Sequence, residues 1–274
     1  AIAFPVSWRS FLFTLFSSSL KSAIRTVYTL LGSGILHGTT FQKKLISCAL
    51  ACCLTAHANA GVVLLYHHVD EGTPAITSIA PDQFNRHLDI IEAEGFTVLP
   101  LDELVKRSME APRGLNEVDE KIVAITFDDA YRSIYTTAFP NLQARGWPFT
   151  IFVATRLIEE KNPHYLTWAQ LSEMATHGAT IANHTDSHTH MIRRLDAEKA
   201  DHWKGRMRGE LLKAKGLLAK HGLDSNLFAY PYGEYDEETL NLVGDLGMIG
   251  FGQQSGAIGP HSNPLLLPRY PLAG

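Results

Sequence analysis

From Gly61 onward, short apolar runs alternate with amphipathic stretches. The runs are "VVLLY" (62–66), "FTVL" (96–99), "IVAITF" (122–127), "FTIFVA" (149–154), "ATIAN" (179–183), "LFAYP" (227–231) and "MIGFG" (248–252). Their length and their β-branched and aromatic content predict strands, and continuous apolar character predicts burial on both faces. Between them, residues 82–94 place Phe84, Leu88 and Ile91 at helical spacing, and 133–145, 167–177, 196–221 and 236–246 read the same way. Asp196 and Asp236 are the expected N-caps, while Gly95, Gly146, Gly178, Gly222 and Gly247 stand where helices should stop. No repeat or linker interrupts residues 61–274. The pattern predicts an α/β fold whose parallel sheet is covered by helices, either an open doubly wound sheet or a (β/α) barrel. Both gather chemistry at the C-terminal ends of their strands.

The residues that follow the runs are chemical in type. His67 and His68 follow the first, Asp128 and Asp129 the third, "HTDSH" (184–188) the fifth, and the turn "PYG" (231–233) ends the sixth. An acidic pair after a strand is by itself an ordinary turn. With 13 histidines in the chain, a chance pair at i and i+4 is also common. Recurrence at four strand ends is what the plain reading does not explain. Two histidines at that spacing plus a carboxylate from another strand make an open three-ligand metal site. One of the neighbouring carboxylates can bind the cation. The other cannot reach the same ion without straining the chain, and stays free to take a proton from water. His67 or His68 could protonate a departing group, and strand alternation lets only one of them face the site.

Charge changes the picture at the N-terminus. Residues 1–60 hold five basic side chains (Arg9, Lys21, Arg25, Lys43, Lys44) and no acidic one. Of the 24 Lys and Arg, 19 therefore face 28 acids in the remainder, a net charge of about −9. Such a body is a poor nucleic-acid binder, which needs positive charge to displace counterions. Residues 43–60, "KKLISCALACCLTAHANA", have the layout of an export signal, with cleavage expected after Ala58 or Ala60. All three cysteines (Cys48, Cys52, Cys53) lie within it, so no disulfide framework is expected downstream. Residues 1–42 are apolar and Ser-rich, without an initial Met. A start placed too far upstream, a long leader or a membrane anchor would each explain them, although Lys21 and Arg25 cut the apolar runs below a spanning length.

"TFDDAY", "HTDSH" and "YPYG", in that order and at strand ends, resemble the signature motifs of the polysaccharide deacetylase family with its NodB-type homology domain. The resemblance runs from about Val62 to the end. It implies a distorted (β/α) barrel of about seven parallel strands and removal of N-acetyl or O-acetyl groups from sugars with a divalent metal. It makes Asp128 the general base and Asp129, His184 and His188 the metal ligands, with zinc favoured and cobalt, nickel or iron as alternatives. The backbone N–H of Tyr232 would face the developing oxyanion. Two departures stand out. There is no Leu-x-His segment after Tyr232 to supply the catalytic acid, and His261 is a poor match; "LLYHHV" instead resembles the first-strand arrangement of biofilm poly-N-acetylglucosamine deacetylases, which points to His67. Where many members carry an Arg that pairs with the catalytic Asp, this chain has Ala229, and Arg269 in "LLLPRYPL" is the expected replacement.

The expectation is therefore an exported deacetylase, in the periplasm or cell envelope or secreted, acting on an acetylated glycan, with poly-N-acetylglucosamine favoured. Peptidoglycan, chitin oligomers and O-acetylated xylan are the alternative substrates, and a carbohydrate-binding relative without catalysis is the alternative class. Membrane association is expected only through the N-terminal segment. His190 and Asp186 read as neighbours of the ligands or solvent-facing, Trp147 and Trp168 as groove-lining or core, and 193–215 as a solvated helix face.

Overall fold

The computed structural model describes residues 61–110 and 121–273. The upstream segment 1–42, the expected export signal at 43–60 and the three cysteines lie outside the described residues. In chain order the strands are β1 (Val62–Tyr66), β2 (His68–Val69), β3 (Ser78–Ile79), β4 (Thr97–Val98), β5 (Ile122–Phe127), β6 (Phe149–Val153), β7 (Ala179–Asn183), β8 (Leu227–Ala229), β9 (Ile249–Phe251) and β10 (Tyr270–Pro271). The helices are α1 (Pro81–Ala93), α2 (Leu101–Glu110), α3 (Phe139–Ala144), α4 (Thr155–Glu159), α5 (Trp168–Thr176), α6 (Ala200–Lys220) and α7 (Glu237–Asp245).

Eight strands form one parallel sheet in the order β10-β1-β5-β6-β7-β8-β9, with β4 also on β5. Strands β1, β5 and β6 are buried along their whole length because both faces are covered, as their largely apolar sequences require. The register brings Tyr66 level with Phe127, Phe127 with Ile151, and Val153 with Asn183. Residues that leave these strands therefore start from one rim. The sheet curls into the expected distorted (β/α) barrel, and residues 267–271 close it. Leu267 bridges to Phe251 of β9, and three residues later Tyr270 pairs with Leu64 of β1. The approach is tight: a Cβ on Gly250 would lie 2.3 Å from the Leu265 carbonyl oxygen, so only glycine fits there.

Ala124, Ala182, Ala229, Phe152, Phe251 and Leu267 belong to one core cluster. A second lies between β8, α6 and α7, built on Trp203, Met207, Leu211, Phe228 and Leu242. Thr167 and Asp236 close capping boxes at the starts of α5 and α7. The five glycines expected as helix stops all have positive φ.

Several expectations are corrected. Asp196 does not cap α6, which begins at Ala200 after Lys199. Ala197 is left-handed (φ 57°), and the Glu198 carboxylate closes a separate turn by accepting the Leu195 N–H at 3.0 Å. Residues 133–145 are not one regular helix, since a π-turn at Ile134–Ala138 precedes α3. Pro140 has no N–H for the Thr136 carbonyl, and Phe139 donates to Ile134 instead. Helices α2 and α4 and the two-residue strands β2, β3 and β10 are additions to the sequence reading. Among the described residues no helix is long and apolar enough to cross a membrane.

Candidate active site

Strand β5 stays on its ladder through Asp128, whose N–H donates to the Tyr66 carbonyl at 3.0 Å. The chain then turns through two left-handed residues, Asp129 (φ 68°) and Ala130 (φ 61°). Seven non-glycine residues among those described have positive φ, and five of them lie in the three motif loops: Asp129, Ala130, Thr185, His188 and Tyr232. Each costs roughly 1–2 kcal/mol relative to ordinary backbone, so the surrounding contacts must hold it.

These turns bring Asp129, His184 and His188 together, with one ligand atom of each within 4.8 Å of the others. Asp129 Oδ1 lies 3.3 Å from His184 Nε2 and 3.0 Å from His188 Nε2. The distances suit hydrogen bonds but the angles do not, and this buried oxygen has no well-formed donor. His184 Nδ1 is 2.7 Å from the Ala229 carbonyl, to which it can only donate. That bond fixes the tautomer and leaves the Nε2 lone pair facing the cluster, the usual outer support of a metal-binding histidine. A carboxylate oxygen and two imidazole nitrogens this close together fit a divalent cation. Burial alone would raise the Asp129 carboxyl, but the two imidazoles outweigh it and hold the group well below the carboxylate range. Burial pulls His184 down, and Asp129 and Asp128 more than reverse that.

Asp128 is fully buried and has a different partner. Arg269 Nη1 and Nη2 donate to its Oδ1 and Oδ2 at 2.7 and 2.8 Å, a bidentate pair with both side chains 0% exposed. The guanidinium is itself held by the Gly252 carbonyl (Nε, 2.9 Å) and Thr126 Oγ1 (Nη1, 3.3 Å), and lies 5.1 Å above the Phe152 ring. Burial raises the Asp128 carboxyl, while Arg269, aided by His184 and His67, brings it below its ordinary value. The pair stays ionised because it is matched.

Residues 115–250 match the family model described as polysaccharide deacetylase. That stretch is a polysaccharide deacetylase domain. Among its curated relatives is YxkH of Bacillus subtilis, whose name places it with the polysaccharide deacetylases; it is 28% identical over 198 residues, covering 71% of this chain and 65% of YxkH. A poly-beta-1,6-N-acetyl-D-glucosamine N-deacetylase of Staphylococcus aureus is 25% identical over 200 residues, covering 70% of this chain and 67% of that enzyme. This chain thus spans about two thirds of the length of these relatives. The solved structure of the Streptococcus pyogenes deacetylase PplD in complex with acetate superimposes with a TM-score of 0.68 at 25% identity, over 78% of this chain and 92% of PplD. His67 and Arg269 both lie outside the stretch that matches the polysaccharide deacetylase family model.

His67 leaves β1 at the same rim. Burial lowers its pKa, Arg269 and His184 lower it further, and the Asp128 and Asp129 carboxylates oppose them, which places the imidazole in the field of the whole site. His68 is engaged elsewhere, stacked on Tyr131 (centroids 3.5 Å apart), which in turn stacks on Tyr165 (5.2 Å). Tyr232 is half-exposed, stacked on His190 at 3.9 Å and edge-on to His188 at 4.5 Å, while His190 Nδ1 lies 2.7 Å from Glu234 Oε2. Asp186 is not solvent-facing but 1% exposed. Trp147 lies under the Arg145 guanidinium just before β6 begins, at the end of the sheet opposite the rim, so it lines no groove at the site. Trp168 stacks on His221 and donates its indole N–H to Glu159. His261 is exposed. The sequence reading missed Tyr131, Tyr165 and Glu234. For Tyr131 the available signal was its place two residues after the acidic pair.

Proposed function

We propose that the protein is a metal-dependent N-deacetylase of an N-acetylglucosamine polymer, with the β-1,6-linked polymer favoured. The observation that carries this reading is the pairing of two differently held carboxylates, Asp128 locked on Arg269 and Asp129 set against two imidazoles. A divalent cation held by Asp129, His184 and His188, zinc in our reading, would supply Lewis acidity, acidifying water and polarising the acetamide carbonyl.

The side chains divide the remaining work. Asp128 accepts a proton from the attacking water, and the bidentate Arg269 keeps it ionised and oriented until then. The Tyr232 N–H donates to the oxygen that gains charge as the carbonyl is attacked. His67 gives a proton to the leaving nitrogen as the C–N bond breaks, so acetate and a free amine result. Burial makes its imidazolium less stable and therefore a readier donor. His68 is a weaker candidate because its ring is committed to Tyr131.

The substrate preference draws on the Staphylococcus aureus relative, and the extracytoplasmic location on the export signal at 43–60, with residues 61–274 as the catalytic domain. The test is acetate release from poly-N-acetylglucosamine, peptidoglycan, chitin oligomers and O-acetylated xylan, before and after chelation. We expect the N-acetylglucosamine polymer to lead and chelation to abolish release, with added Zn²⁺ restoring it. Undiminished release from the chelated protein would sink the metal reading, and a stronger response to another glycan would replace the substrate.

A further inference from the structure

His184 and His188 share one loop, and that loop does not hold its own shape. Thr185 (φ 66°) and His188 (φ 55°) are both left-handed, so the backbone between the two candidate ligands sits above its relaxed energy. What holds it comes from outside. Asp186 turns away from the cluster and accepts from four donor atoms: Thr155 Oγ1 at 2.9 Å, Arg156 Nε and Nη2 at 3.3 and 3.0 Å, and Lys213 Nζ at 2.7 Å. Ser187 donates both its N–H and its hydroxyl to Glu210 Oε2, at 2.8 and 2.9 Å. The Arg156 N–H binds the Asp186 carbonyl at 2.8 Å, and Asn183 Nδ2 binds the Leu211 carbonyl at 2.9 Å. Arg156 also approaches Glu210 at 4.0 Å, which joins the charges into one set. Every residue from Asn183 to Ser187 except the ligand His184 and Thr185 is thus tied by its side chain to α4 or α6.

We infer that Asp186, with Lys213, Arg156 and Glu210, is a positioning device that sets the geometry and affinity of the cation site from the outer side of the barrel. The inference rests on the metal reading given above. None of the four touches the three candidate ligand atoms, so they act by fixing where His184 and His188 point. The arrangement is asymmetric in exposure. The Asp186 side chain is 1% exposed, whereas those of Lys213 and Arg156 are 58% and 47% exposed. A change at Lys213 therefore reaches the ligand loop through the buried Asp186 carboxylate. If Lys213 is lost, Asp186 keeps only part of its compensation and the loop relaxes toward ordinary backbone.

The experiment measures Zn²⁺ and Co²⁺ affinity by competition with a chromophoric chelator, and records the visible absorption of the Co²⁺-loaded protein. Asp186→Asn, Lys213→Gln, Lys213→Arg and the wild type are compared, with Leu104→Ala as a control that lowers stability at the opposite end of the barrel. We expect Asp186→Asn to weaken binding about 10-fold or more, as removal of outer support does at other metal sites, and to alter the Co²⁺ spectrum. Lys213→Gln should weaken binding in the same direction, and Lys213→Arg should restore it. Unchanged affinity and spectrum in both Asp186→Asn and Lys213→Gln overturns the inference. So does an equal loss in Leu104→Ala, because the effect would then be stability alone. Should Asp186→Asn not fold, Lys213→Gln decides, since that side chain is largely in solvent. A wild type that binds neither ion removes the metal reading together with this inference, whereas wild-type binding with unaffected variants removes the inference only.

Discussion

The loops after β5 and β7 solve the same problem by opposite means. Both carry left-handed residues at the rim and both deliver charged groups to one point. The β5 loop is held from inside the barrel, where the buried guanidinium of Arg269 meets Asp128 out of reach of water. The β7 loop is held from outside, where half-exposed cations converge on buried Asp186. A sealed ion pair is insensitive to salt but costly to break, while pairs reaching solvent are screened and individually weak. The difference suits the proposed division of labour. The group that must stay ionised and fixed is sealed, and the loop that must accept a cation is supported by contacts that can adjust.

The sharpest break in that comparison is Asp128→Asn. It keeps the shape of the sealed side and removes the proposed base, so the rate of acetate release should drop about 10³-fold, within the usual range for a general base. Bound metal should stay near wild-type, which metal analysis of the purified variant would show. Comparable loss of metal would mean that the two carboxylates are not functionally separate. Next in size is Arg269→Met, which strands a buried carboxylate. Urea unfolding should show a loss of about 3–5 kcal/mol, the typical cost of removing one partner of a buried pair. A loss below 1 kcal/mol would show that the pair is not sealed in solution.

His87 sharpens the comparison by placing acid sensitivity in the core rather than at the rim. It is buried behind β1 with Nδ1 3.1 Å from the Tyr66 hydroxyl, and burial, with Arg86 adding to it, lowers its pKa to about 4. The unfolded chain takes up this proton near pH 6.5 and the folded protein does not until about 4. Stability present above pH 6.5 is therefore lost as pH falls through that window, by about 3 kcal/mol at its lower end. His87→Gln should flatten the dependence of unfolding free energy on pH between 6.5 and 4; an unchanged slope would assign the acid sensitivity elsewhere. The smallest effect is expected from Thr126→Val. It removes the hydroxyl that donates to the Leu64 carbonyl at 2.8 Å and accepts from Arg269, at a cost of about 1 kcal/mol by thermal unfolding. A loss as large as that for Arg269→Met would show that the guanidinium depends on Thr126 for its position.

The central strands were legible because residues buried on both faces must be mostly apolar: β1 is apolar throughout, and β5, β6 and β7 depart from that only at Thr126, Thr150, Thr180 and Asn183. The positions of Asp128, Asp129, His184 and His188 followed from those strands, since a ladder ends where the apolar run ends. Arg269 was reached through the family resemblance, which calls for an Arg beside the catalytic Asp where this chain has Ala229; β10 itself is two residues long and leaves no periodic signal. Helix α2 escaped notice because its buried side chains, Leu101, Leu104, Val105 and Ser108, include a polar one and complete few turns. The holders of the β7 loop were not legible. Lys213 and Glu210 lie on a helix whose other face is buried through Trp203, Met207 and Leu211, and a surface Lys or Glu of such a helix looks the same in sequence whether or not it meets a buried carboxylate.

The closure of the barrel by residues 267–271 also sets a timetable. During synthesis β5, β6, β7, β8 and β9 each emerge after a strand they pair with, whereas the place beside β1 stays open until β10 is made. Asp128 lacks its counterion throughout that interval, because the guanidinium is carried by Arg269, next to β10. The step that seals the ring is the step that delivers the guanidinium. A nascent chain therefore acquires this charge balance and its proposed catalytic competence together, once Arg269 has been made, and any chain interrupted before it lacks both.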